Sequence, residues 1–121
     1  HKKGGYLIYE QIKSILQGVL PTYNPATHID KVASPYAVVH DMGINPREGS
    51  KGMLGQRVYE IVILVPLDGQ AQLSPLAEAV RLALKALPRL KYTGDAAPTG
   101  FEAEFMGCSV SLIYRLPVRI Q

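Results

Sequence analysis

The chain has 121 residues, of which 47% are hydrophobic and 19% charged, and its formal net charge is +3. That length suits one domain with a core of its own, and that balance excludes an intrinsically disordered chain. The longest apolar run, Ile61 to Leu67, is far too short to span a bilayer, and a single cysteine, Cys108, excludes an internal disulfide.

The first five residues, His1-Lys-Lys-Gly-Gly5, read as a disordered or tag-like start, which leaves 6–121 as one domain. From Tyr6 to Leu20, Ile8, Ile12, Ile15, Leu16 and Val19 fall on one helical face, while Glu10, Lys13 and Gln17 lie off it. Pro21 and Tyr23-Asn24-Pro25 stop this helix, and Thr22 to Ser34 reads as irregular connection. Pro35 forces an extended entry into a strand, Tyr36–Asp41, because the residue before proline is pushed out of the helical region. Val38 and Val39 are both apolar, which predicts cover on both faces for part of that strand. Arg57–Val65 alternates at first and is continuously apolar from Ile61, the pattern of a central strand buried on two sides.

Between these strands lies Gly43-Ile-Asn-Pro-Arg-Glu-Gly-Ser-Lys-Gly-Met-Leu-Gly-Gln56, with four glycines, a proline and two basic residues. A connection that long is uncommon in a compact domain unless it binds something or is disordered. It reads as the tip of a hairpin arm whose Ile44, Met53 and Leu54 meet a partner while Arg47 and Lys51 find acidic groups.

Pro66-Leu-Asp-Gly-Gln70 is turn chemistry, and Ser74-Pro75 predicts an N-cap with proline in the first helical position. Leu73, Leu76, Val80, Leu84 and Leu87, with Ala77 and Ala83, form the buried stripe of a second helix that Pro88 ends. Arg89–Thr93 reads as a short strand and Gly94–Gly100 as a loop. Phe101–Phe105 and Cys108–Leu116 both alternate, which predicts one long strand kinked by a bulge at Met106-Gly107. A tight turn near Glu104–Gly107 between two shorter strands is the alternative. In sum the pattern predicts an α+β fold, an antiparallel sheet of about four strands with two helices packed on one face. Ser109, Ser111 and Arg115 mark the opposite face as solvated or met by another subunit.

Motifs for chemistry are sparse. His28 and His40 lack neighbours at ligand spacing, and Cys108 reads as a core residue, so no metal site is expected. Glu102 and Glu104 share a strand face, as solvated carboxylates do. Gly49-Ser-Lys-Gly52 fails the order of a phosphate loop, and no serine has an evident base. The seven tyrosines are dispersed and the basic residues scattered, which permits an anionic partner without demanding one. No catalytic or cofactor-binding residue is assigned, and the expectation is a protein that is not an enzyme.

The progression resembles the tail-completion and tail-terminator (head–tail joining) proteins of long-tailed bacteriophages and prophages. The resemblance rests on arrangement: an opening helix, the proline-introduced Ser34-Pro-Tyr-Ala-Val-Val-His40, a long loop, and Arg57-Val-Tyr-Glu-Ile-Val-Ile-Leu64. The stripe Leu76–Leu87 and the closing Val110-Ser-Leu-Ile-Tyr-Arg115 complete it. It covers nearly the whole chain from Tyr6. It implies a structural virion subunit, assembled in the bacterial host cytoplasm, that forms a ring, commonly a hexamer. The ring caps the tail tube, ends tail assembly and joins the head, with partners in the tail-tube and head-connector proteins. It implies no membrane and no specific nucleic acid, though DNA passes through such a ring. It also implies a subunit-contact role for Arg47, Lys51, Met53 and Leu54. A small ligand-binding or regulatory α+β module without catalytic activity is the alternative, and it requires a pocket with convergent polar groups.

Overall fold

The computed structural model describes residues 2–25, 32, 34–46, 54–102 and 107–119. Helix α1, Lys2–Gln17, begins earlier than the apolar stripe requires and takes in the backbone of Lys2–Gly5. Ile12 and Leu16 are fully buried, with Ile8, Tyr9, Ile15 and Val19 packed beside them, so the stripe does what its spacing implies. Past the helix, the Gln17 side-chain amide brackets Thr22, donating to its carbonyl at 2.7 Å and accepting from its N–H at 3.2 Å. That clasp turns the chain into a two-residue strand, β1 (Thr22–Tyr23), where irregular connection was expected.

β1 pairs parallel with β2, Tyr36–Pro46, through Thr22 opposite Ala37 and Tyr23 opposite Val38. β2 runs antiparallel to β3, Leu54–Pro66, and β3 runs antiparallel to β5, Gly107–Arg119. β4, Lys91–Glu102, closes the other edge against β5, giving the order β1-β2-β3-β5-β4. The fold is therefore α+β, with a five-stranded mixed sheet in place of about four antiparallel strands. The fifth strand is the short parallel β1, which no two-residue sequence pattern can announce.

Four further expectations are corrected. The arm between the strands is not loop from Gly43 to Gln56: β2 continues to Pro46 and β3 starts at Leu54. Pairing needs only backbone N–H and C=O groups, so glycine-rich ends join a ladder once β5 supports β3 from its far side. The single kinked strand is two strands, with Glu102 opposite Gly107 across an antiparallel pair, and residues 94–100 belong to β4. Ser74 is not an N-cap either. A 3-10 helix, Leu67–Gln72, runs directly into α2, Leu73–Leu84, so Ser74 and Pro75 lie inside a helix already under way.

Strand alternation sorts the sheet into two faces. One carries Ala37 and Val39 from β2, Tyr59, Ile61, Ile63 and Val65 from β3, and Cys108, Leu112, Tyr114 and Leu116 from β5. Both helices lie on it. α2 contributes Leu73, Val80 and Leu84, with Leu76, Ala77 and Leu87 packed alongside. The other face holds a smaller cluster of Val32, Tyr36 and Leu64 with Tyr23, Val38 and Val62, in which the Tyr23 and Tyr36 rings meet edge-on at 5.6 Å. Adjacent valines Val38 and Val39 thus serve different clusters, as their shared apolarity implies. The same split holds for Ile61–Val65.

Candidate assembly surface

Neither helix is long enough to roof the sheet. At the usual rises, the 13 residues of β3 extend about 43 Å, whereas the 16 of α1 reach about 24 Å and the 12 of α2 about 18 Å. On the β5 side the segment after α2 extends the cover: Leu87 and Leu90 join the core and Arg89 Nη2 donates to the Pro117 carbonyl at 3.0 Å. On the β2 side no such segment follows among the described residues, and Met42 and Ile44 are 52% and 43% exposed.

The place where β2 leaves this cover is built from Asp41. The β2–β3 register shifts between Asp41 and Gly43, so Met42 is the extra residue of a bulge. Gly43 takes φ +94°, open to glycine and strained for a side chain. Asp41 Oδ1 accepts the Gly43 N–H at 2.9 Å, and Oδ2 receives Arg57 Nη1 at 2.8 Å. One carboxylate therefore holds both strands where the arm begins. Tyr9 secures the same corner from α1: its hydroxyl donates to the Val39 carbonyl at 2.8 Å, with Asn24 Oδ1 2.9 Å away. Partial burial, then the nearby Glu10 and Asp41 carboxylates, push the Tyr9 phenol above its ordinary pKa.

Sequence reasoning placed the contact site in the arm. Of its four residues, Arg47, Lys51 and Met53 lie outside the described residues. Leu54 starts β3 opposite Arg119, and its side chain lies outside them too. His28 and Glu104 also fall outside. His40, read as an ordinary sheet histidine, stands half-exposed with Nδ1 3.7 Å from Glu60 Oε1 across the β2–β3 ladder. Cys108 is a buried core residue.

Two features escaped the sequence. One is the Asp41–Arg57 clasp, whose partners sit 16 positions apart and meet only through hairpin register. The other lies on the helix-free face, where Lys91 and Arg115 stand directly opposite each other across β4 and β5. Beside them, Gln56, Tyr92, Thr93 and Pro117 complete an open groove of about 340 Å³. A second open cavity, about 300 Å³, lies at the β2 edge between Tyr9, Pro25, His40 and Asp41. Val58, Val62 and Ile113 continue the same helix-free face as half-buried apolar positions.

Among the described residues no three histidine, cysteine or carboxylate groups converge as a metal would require. No helix among them is long and apolar enough to cross a membrane. Among the described residues the groups farthest from their ordinary titration are the phenols of Tyr59 and Tyr114, both pushed up to about 12, chiefly by burial in the core. Neither lines either cavity. No protein-family model matches the chain, and the search of curated proteins found no match.

Proposed function

We propose that this chain is a structural subunit of a long-tailed bacteriophage or prophage, which assembles as a ring on the tail tube, ends tail growth and joins the tail to the head. The observation that carries the reading is the part of the sheet that no other described element covers, where copies could meet. Among the described residues one face carries no helix yet keeps half-buried apolar positions at Val58 and Ile113, outside the cluster of Val32, Tyr36 and Leu64, and the β2 margin exposes Met42 and Ile44. Apolar surface of that kind, rimmed by polar residues, is characteristic of interaction sites. The helix-on-sheet order supports the resemblance to tail-terminator proteins, and Arg47, Lys51, Met53 and Leu54 keep the contact role that resemblance implies. The ligand-module alternative asks for a pocket with convergent polar groups; Gln56, Lys91, Thr93 and Arg115 do line one groove, but that groove and the cavity beside Tyr9 are both open rather than enclosed.

Light scattering on the eluting protein, alone and with isolated tail tubes, tests the proposal. The expected result is a discrete ring mass or stable attachment to tube ends. A chain that remains monomeric under both conditions sinks it. Replacing 47–53 by a short glycine–serine turn keeps both strands and is expected to abolish assembly without lowering thermal stability.

A further inference from the structure

We infer that the Lys91–Arg115 groove receives the Asp68 carboxylate of a second copy, as a head-to-tail contact between subunits. This inference rests on the ring reading above. Two cations directly opposite on one sheet face repel, which destabilises the pairing. Both side chains are exposed, and neither has an ion pair among the described residues. No carboxylate is among the described residues lining the groove. An arriving anion converts that repulsion into two charge-assisted contacts.

A suitable anion lies past the far end of β3, whose Gln56 lines the groove. Asp68 sits in the first turn of the 3-10 helix, exposed and without an ion pair among the described residues, next to Leu67, which is 38% exposed. Arg115 lies level with Val58, whereas Asp68 follows Pro66, so about 26 Å of strand separates the two sites at the usual rise. They cannot meet within one molecule. Between copies they can, and a contact joining unlike ends repeats head to tail, closing into a ring when the rotation allows. Charge and shape agree: the groove's volume admits a carboxylate together with an apolar neighbour such as Leu67, against Pro117. A nucleic-acid strand fits less well. It calls for a basic stripe, and on this face the row of cations gives way to the Glu60 carboxylate beside His40.

Full-length wild type, K91E/R115E, D68R and the triple variant K91E/R115E/D68R are compared by light scattering over a concentration series. Circular dichroism melts establish that each is folded. The expected result is a dissociation concentration raised at least about tenfold in K91E/R115E and in D68R, with the triple variant restored towards wild type. Wild-type assembly by K91E/R115E and D68R overturns this contact and leaves the ring reading standing. Failure of the triple variant to recover overturns the contact as well. Normal assembly by K91E/R115E with lost binding to single-stranded DNA assigns the groove to nucleic acid and also overturns it. A wild-type chain that never associates, with or without tail tubes, removes both readings together.

Discussion

At Gly107 a side chain has nowhere to go. A Cβ there would lie 2.7 Å from Val32 Cγ2 and 2.7 Å from the Val65 carbonyl oxygen, which real Cβ atoms do not tolerate. Gly107→Ala is therefore expected to cost about 1–3 kcal/mol, as overpacking does, read from the urea midpoint at unchanged slope. A midpoint equal to wild type would show that Val32 and the Val65 carbonyl both yield freely. The Asp41–Arg57 pair makes a second residue-scale case. Both side chains are partly buried, and Arg57 Nε is buried without a partner, so the guanidinium leans on this one carboxylate. Asp41→Asn keeps an acceptor for the Gly43 N–H while removing the charge opposite Arg57. A loss of about 1–2 kcal/mol is expected, discounted for the exposure both groups retain. A double-mutant cycle with Arg57→Met measures the coupling, and a value near zero would mean the clasp contributes nothing.

For whole elements, the sequence was most legible where one face of a regular structure must be apolar. The spacing of Ile12, Leu16, Val80 and Leu84 fixed which sides of the helices turn inward, because 3.6 residues per turn leaves few other solutions. The same helix offers a matched pair of positions. Leu84→Ala is expected to cost about 2–5 kcal/mol, and Leu82→Ala, at an exposed position, no more than about 0.5 kcal/mol. Equal losses in thermal melts would contradict the assigned inward face. Legibility ended where backbone pairing outweighed side-chain pattern. Gly43–Pro46 and Gly94–Gly100 have loop composition, yet both join ladders, because neighbouring strands supply partners for N–H and C=O groups whatever the side chains. Ser74-Pro75 carries a valid start signal that the preceding 3-10 helix pre-empts. The candidate contact site was the least legible. Lys91 and Arg115 sit 24 positions apart, and only the β4–β5 register brings them together.

Taken as one body, the molecule holds two phenols, Tyr59 and Tyr114, deep in its main core, and burial pushes both to about 12 from an ordinary 10.0. In each case the neutral form is favoured in the folded chain, so between about pH 10 and pH 12 the native state binds more protons than the unfolded one. The stability these groups contribute is complete below about pH 10 and declines as pH rises towards 12, by about 2–3 kcal/mol for each phenol. Urea titrations across that window should show the decline, and Tyr114→Phe should flatten its slope; equal slopes would remove Tyr114 as a source. The Tyr114 hydroxyl has no hydrogen-bond partner in its buried position, which sharpens the contrast. The β3–β5 ladder has a consequence in time as well as in space. Its register runs unbroken from Leu54 opposite Arg119 to Pro66 opposite Gly107, while the ladders on either side of it both slip. Hairpin partners such as β2 and β3 lie close along the chain and can find one another quickly. Joining β3 to β5 must first close a segment of about 40 residues, an entropic cost met before any of that seam's bonds form. Refolding should therefore wait on this central seam, and substitutions there should slow folding more than equally destabilising ones in β1.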